Sequence, residues 1–249
     1  MGYKYTKSVK YDDLAFVYSQ CSGPGGLKVA EYIANMMDVK KGSWLLDIGT
    51  CFGLQTCFLA KEYDIFAVGI DPGGREWMQR PFIDFMMDNA YRLGIHNRVL
   101  GIETGVPDTK LPQNCFDYAY STTTLEMLRG MWGEEKYIES LLEIRRVLKP
   151  NGIFGLGEPM VKSIYFPSDM KNYIPKDFLS CFTTIENTCA AIEKAGFTII
   201  GAGYSEDSQL WWNEYAEYNK FRFDEFEEKK TISLNNDRWL SFGYIIAKK

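Results

Sequence analysis

The chain has 249 residues, 46% hydrophobic and 24% charged, enough to bury one full core as a single domain with attached segments. Its 28 basic and 33 acidic residues leave a formal charge of −5, with no Lys/Arg block dense enough to neutralise a phosphate backbone, so no nucleic-acid partner is expected. No apolar run approaches the length that spans a bilayer and MGYKYTKSVK lacks a signal-peptide core, so no membrane partner is expected and a cytoplasmic location is.

The first 26 residues do not follow a strand or helix alternation. Their aromatic residues, including Tyr11 and Tyr18, mark residues 1–26 as a candidate lid segment. Helix spacing begins in LKVAEYIANMM, and the apolar run SWLLDIG then predicts a first strand. Beyond it come a helix in LQTCFLAKEY, a strand in IFAVGID and one long helix over REWMQRPFIDFMMDNAYRLG. Strands in RVLGIET and FDYAYS precede a helix in KYIESLLEIRRVLKP stopped by Pro150, and GIFGLGEP is the fifth strand. Residues 161–182 break the alternation again and are a second candidate lid. The helix TIENTCAAIEKAG, the strand FTIIGAGY, the aromatic stretch SEDSQLWWNEYAEY and the strand-like RWLSFGYIIAKK complete the chain. Strands separated by helices imply a doubly wound, largely parallel α/β sheet.

The six cysteines include no C-x-x-C pair, and His96 has no companion histidine. Neither a metal centre nor a disulfide framework is expected. Only Cys51 sits where chemistry is near.

That place is LLDIGTCFG. The strand ends at Asp47, Gly49 permits a sharp turn, and Gly53 lets the next helix start close against a ligand. A dinucleotide fingerprint needs a central glycine where this chain has Cys51, which disfavours a nicotinamide-dependent oxidoreductase. An acid at the strand tip suits a ligand with positive charge. Asp71, at the tip of the next strand, suits two ribose hydroxyls.

These motifs resemble those of class I S-adenosylmethionine-dependent methyltransferases of the ubiquinone/phosphoethanolamine-methyltransferase-like group. GPGGLKVAEYIA, LLDIGTCFGLQTCFLA, AVGIDPG, LPQNCFDYAYS and IRRVLKPNGIFGLGEP match the group's segments in order, over about residues 20 to 215. The resemblance implies a Rossmann-like sheet of seven strands with the last antiparallel beside the fifth, and S-adenosyl-L-methionine as cofactor. It assigns Asp47 and Gly49 to the methionine end, Asp71 to the ribose, and Asp108 to the adenine amine. Gly53 falls where the turn enters the helix, and Thr50, Cys51, Pro72 and Ser121 complete the candidate cofactor wall. The group's phosphobase enzymes use a tyrosine–histidine pair that this chain lacks, since His96 lies in the turn LGIHNRV.

Methyl transfer needs chiefly alignment and exclusion of water, so an amine or sulfur acceptor is expected. The candidate acceptor wall consists of Thr122, Glu126, Glu158, Trp211, Trp212, Glu214 and Tyr215, with Tyr18 reaching over from the N-terminal segment. Of the two tryptophans one is expected to pack and the other to line the pocket, without sequence grounds for choosing. A catalytically silent cofactor-binding sensor or partner subunit is the alternative, and a homodimer is a compatible assembly.

Overall fold

The computed structural model describes residues 4–170, 179–219 and 228–249. Seven strands form one sheet in the order β3-β2-β1-β4-β5-β7-β6. They are β1 Trp44–Ile48, β2 Phe66–Ile70, β3 Val99–Ile102, β4 Phe116–Thr122, β5 Leu148–Val161, β6 Thr198–Tyr204 and β7 Leu240–Lys248. The first five pair in parallel, and β7 inserts antiparallel between β5 and β6. This is the expected sheet, with the expected closing strand. Its order reverses beside β1, and in sheets of this kind ligands bind in a crevice at the carboxyl ends of the strands at that point.

The helices are α1 Leu14–Gln20, α2 Gly26–Met36, α3 Leu54–Glu62, α4 Arg75–Met78, α5 Phe82–Arg92, α6 Leu125–Val147, α7 Ile185–Lys194, α8 Ser208–Tyr218 and α9 Glu228–Asn235. Alternation along the strands sends side chains to two faces. Leu45, Tyr118, Tyr120, Phe242 and Ile246 meet α2, α3 and Trp211 on one face. On the other, Leu46, Ile48, Phe154, Leu156 and Ile245 meet Tyr137, Leu141 and Ile144 of α6 and Ile192 of α7.

Three elements differ from the sequence reading. The long helix expected over residues 75–94 is two, α4 and α5, because Gln79 turns left-handed (φ 59°) and Pro81 is extended (φ −65°, ψ 149°). The helix expected from residue 136 begins at Leu125 and bends at Gly133, whose φ of 84° and ψ of 173° are not helical. It ends at Val147, and Leu148 already pairs with Phe116, so β5 starts before Pro150.

The N-terminal segment is strapped to the helices beneath it. Glu31 of α2 accepts the Lys7 amide at 2.9 Å and the Ser8 amide and hydroxyl at 2.7 Å each. Tyr11 donates to Glu62 at 3.2 Å and packs edge-on against Phe58, so it staples the segment to α3. The first residues of the second candidate lid are tied to the residue before β7. Lys162 donates its amide to Trp239 carbonyl at 2.7 Å, and Trp239 Nε1 donates to Ser163 carbonyl at 2.9 Å. Residues 171–178 of that lid lie outside the described residues.

Candidate active site

The turn after β1 is held onto the tip of β2. The amides of Gly49 and Thr50 both donate to Ile70 carbonyl, at 2.9 and 3.1 Å, and the Cys51 amide donates to Asp71 Oδ2 at 2.9 Å. Gly49 has φ 78° and Gly53 φ 69°, conformations that L side chains rarely adopt. A Cβ at Gly49 would stand 2.2 Å from Thr124 Oγ1, and one at Gly53 1.9 Å from Met86, so both glycines are also needed for close packing.

Asp71 fits the ribose role. Its Oδ1 accepts the Gly73 amide at 2.8 Å and its Oδ2 the Cys51 amide, leaving further lone pairs on a half-buried carboxylate. Burial raises its pKa while the two amide bonds pull it down. An acceptor fixed at the strand tip by two main-chain donors is suited to a vicinal diol.

Asp47 lies under the turn and not on its open side. It is buried and accepts the Thr56 hydroxyl, which is itself hydrogen-bonded with Thr50. Burial pushes its pKa up to about 7, Thr56 opposes this, and nearby Asp71 adds to it. Its geometry orders the turn, and no cationic side chain meets it among the described residues.

Cys51 carries φ 50°, a left-handed conformation that costs a non-glycine residue about 1–2 kcal/mol. Burial and then Asp71 push its thiol up to about 12, so it is a weak nucleophile at neutral pH. Cys51→Gly is therefore expected to retain cofactor affinity and to raise or leave unchanged the melting temperature, because the relieved strain offsets the lost thiol contacts. A clear fall in melting temperature, with affinity lost, would assign the thiol a packing role that the backbone does not reveal.

The remaining candidates for the cofactor wall divide. Pro72 stands beside Gly105, where an added Cβ would approach it to 3.2 Å. Ser121 is buried and donates to Ile48 carbonyl at 3.1 Å, tying β4 to β1. Asp108 points outward and pairs with Lys110, so this geometry does not bring it to an adenine site. Its neighbour Thr109 is the buried member of that loop, and it donates to Glu143.

On the acceptor side, Glu214 of α8 is paired with Lys28 of α2 and accepts from Tyr18 of α1 at 3.2 Å. Burial and that carboxylate raise the Tyr18 pKa, so it stays a phenol and not a tyrosinate base. Trp211 is 0% exposed, wedged between Tyr32 and Phe242. It is a core residue, and the wall expected of it is corrected accordingly. Trp212 packs on the separate cluster of Val161, Met170, Trp239 and Leu240. Trp211 thus takes the packing role that the sequence reading reserved for one of the two.

Glu158 does not share a site with Glu214. Gly155 and Gly157 of β5 face α2, where added Cβ atoms would meet Ile33. Glu158 alternates with them and faces α6, on the opposite side of the sheet. There Arg129 Nη1 lies 3.4 Å and Tyr137 hydroxyl 3.5 Å from its Oε1. Glu126 joins this cluster; its pKa is raised well above the ordinary range by burial and then by Glu158.

Two polar links escaped the sequence reading. Gln55 Nε2 donates to Gly26 carbonyl at 2.7 Å, while its Oε1 accepts from Tyr120 at 3.0 Å and Thr122 at 2.9 Å. One side chain thus joins α3, the start of α2 and the tip of β4. Arg129 is the other, and its spacing of three from Glu126 on a helix was the signal that could have found it.

Comparison with known proteins shows what this fold is similar to. Residues 46–156 match the family model described as a methyltransferase domain. Over this stretch, less than half of the chain, the sequence resembles a methyltransferase domain. A sterol 24-C-methyltransferase of Gibberella zeae is 23% identical over 207 residues, 80% of this chain and 50% of that protein. The chain spans about half the length of the curated relatives it first matches. Among solved structures, Haemonchus contortus phosphoethanolamine N-methyltransferase 2 in complex with S-adenosyl-L-methionine superposes with a TM-score of 0.71 at 19% identity, over 94% of this chain and 56% of that one. Geranyl diphosphate C-methyltransferase of Streptomyces coelicolor A3(2), in complex with Mg2+, geranyl diphosphate and S-adenosyl-L-homocysteine, gives 0.70 at 16%, over 88% and 78%. At these identities the likeness establishes the methyltransferase fold. The relatives' acceptors differ from one another, and the domain match leaves the acceptor open.

Proposed function

We propose that the chain transfers the methyl group of S-adenosylmethionine to an uncharged small-molecule nucleophile, an amine or sulfur atom. The observation that carries this reading is that two of the acceptor-side carboxylates, Glu214 and Glu158, already have counter-charges. Glu214 has Lys28, Glu158 has Arg129, and Tyr18 is held protonated. None of these groups is positioned as a strong base or as a free anion awaiting a cationic substrate.

The cofactor, when bound, supplies an electrophilic methyl group on a sulfonium. The chain's own residues then have three tasks in this reading. Asp71 holds the ribose hydroxyls. The Gly49–Gly53 turn, with Thr50 and Cys51, supports the methionine end above Asp47. The tips of β4 and β5, with α1 laid against α8, align the acceptor and exclude water. A soft nucleophile needs no proton removed before attack, so loss of the proton can follow methyl transfer to solvent.

The test is formation of S-adenosylhomocysteine by the purified chain with a panel of small amines and thiols and with a small-molecule fraction of cell extract. Turnover should rise with pH as amine acceptors lose their proton. Cofactor binding by calorimetry without product from any acceptor would instead support the silent sensor reading.

A further inference from the structure

The cluster on the α6 face has a feature that the charge pairing leaves unexplained. Glu126, Arg129 and Glu158 are 3%, 7% and 0% exposed. Yet Glu126 Oε2, Arg129 Nη2 and Glu158 Oε2 have no hydrogen-bond partner among the described residues. A buried polar group left without a partner is costly, the more so if charged, so three together in one cluster call for an occupant.

The chemistry of that occupant follows from the donors and acceptors. A carboxylate oxygen calls for a donor, and a carboxyl hydroxyl or a guanidinium nitrogen calls for an acceptor. Glu126 and Glu158 share one proton, since burial and mutual repulsion disfavour two charges. The remaining carboxylate charge is matched by Arg129, whose Nε is tied to the half-exposed Glu134 at 2.8 Å. An added ammonium would sit beside Arg129, and an added phosphate or carboxylate beside the glutamates. A neutral hydroxyl, with one proton to give and two lone pairs, satisfies both kinds of partner. The guanidinium is fixed in place by stacking 3.5 Å from the Tyr137 ring, so its free nitrogen has a set direction.

The position connects this cluster to the acceptor. Gly157, next to Glu158, accepts the Thr123 amide at 3.0 Å and pairs with Thr122 at the tip of β4, and Glu126 lies in the first turn of α6 that follows. The same two elements lead into exposed apolar side chains, Met131 and Trp132 on α6 and Ile164 and Tyr165 after β5. We propose that Glu126, Arg129 and Glu158 form a recognition subsite for a neutral hydroxyl group carried by an apolar methyl acceptor, at a position other than the methylated atom. This rests on the methyltransferase reading above.

The test uses the full chain saturated with S-adenosylhomocysteine, whose affinity is measured first, so that failure to bind it would count against the methyltransferase reading alone. The probes are cyclohexylmethanol and cyclohexylmethylamine, matched in shape and differing in charge. Crystals soaked in the alcohol should show its oxygen within hydrogen-bond distance of Arg129 Nη2 and at least one of the two glutamate oxygens. By calorimetry the alcohol should bind at least tenfold more tightly than the ammonium. Glu126→Gln, a near-isosteric change, should remove at least tenfold of alcohol affinity while leaving that of S-adenosylhomocysteine within threefold. A buried water alone at the cluster, with the alcohol absent, would overturn the proposal, as would equal or tighter binding of the ammonium. The soak and the two-probe comparison need only the unaltered chain, so they decide the matter even if the variant fails to fold.

Discussion

Trp211→Ala is expected to cost about 3–5 kcal/mol of folding stability, the range for removing a buried aromatic side chain from a packed core. Trp211 is fully buried, touches Tyr32 and Phe242 edge-on, and closes the core between α2, α8 and β7. Alanine would leave a large cavity that the β7 backbone cannot collapse to fill, since β7 is paired on both sides. Urea unfolding, with an unchanged slope and a lower midpoint, would measure the loss. Trp212→Ala should cost less, because Trp212 is half-buried against a smaller cluster. A Trp211→Ala protein that unfolds within about 1 kcal/mol of the parent yet loses methyl transfer would restore Trp211 to the acceptor wall.

Asp71→Ala is expected to weaken S-adenosylmethionine binding by about 2–4 kcal/mol, from the loss of two charge-assisted hydrogen bonds to the ribose. That corresponds to roughly 30-fold to 1000-fold in dissociation constant by calorimetry. Stability should fall as well, by about 1 kcal/mol per bond, because the Cys51 and Gly73 amides lose their acceptor and the turn after β1 loses one of its ties to β2. Affinity preserved in a folded variant would remove Asp71 from the site.

Much of the fold was legible because its signals are local. Apolar runs bounded by turn residues marked all seven strands, and the acid–glycine turn after β1 marked the crevice. The break at Gln79–Pro81 was less visible, since helical spacing continues across it and only Pro81 argues against it. The early start of α6 was hidden because a glycine-containing bend separates its two helical parts.

The candidate site was legible only in part, and the division has a physical cause. The place of Asp71 was readable because strand alternation and length locate the strand tip where it stands. Asp47 was placed at the right tip, but one residue of strand phase and the Thr56 hydroxyl decide that its carboxylate points under the turn. Composition cannot reveal that Glu214 is already neutralised, because Lys28 lies 186 residues away in sequence and meets it through the packing of α2 against α8.

The sequence by itself determined the alternating architecture and the acid–glycine turn after β1, because each depends on patterns repeated within a few residues along the chain, and the resemblance those motifs carry implied the cofactor. Tertiary structure alone decided the acceptor side. Whether a carboxylate is free or paired, and whether a tryptophan is wall or core, depends on partners from distant segments. Glu158 and Glu214 read alike as acids near strand tips, but the alternation of β5 against α6 and the docking of α8 on α2 place them on opposite faces of the sheet. Desolvation and pairing energies, which fall off within a few ångströms, are set by those contacts and not by residue type.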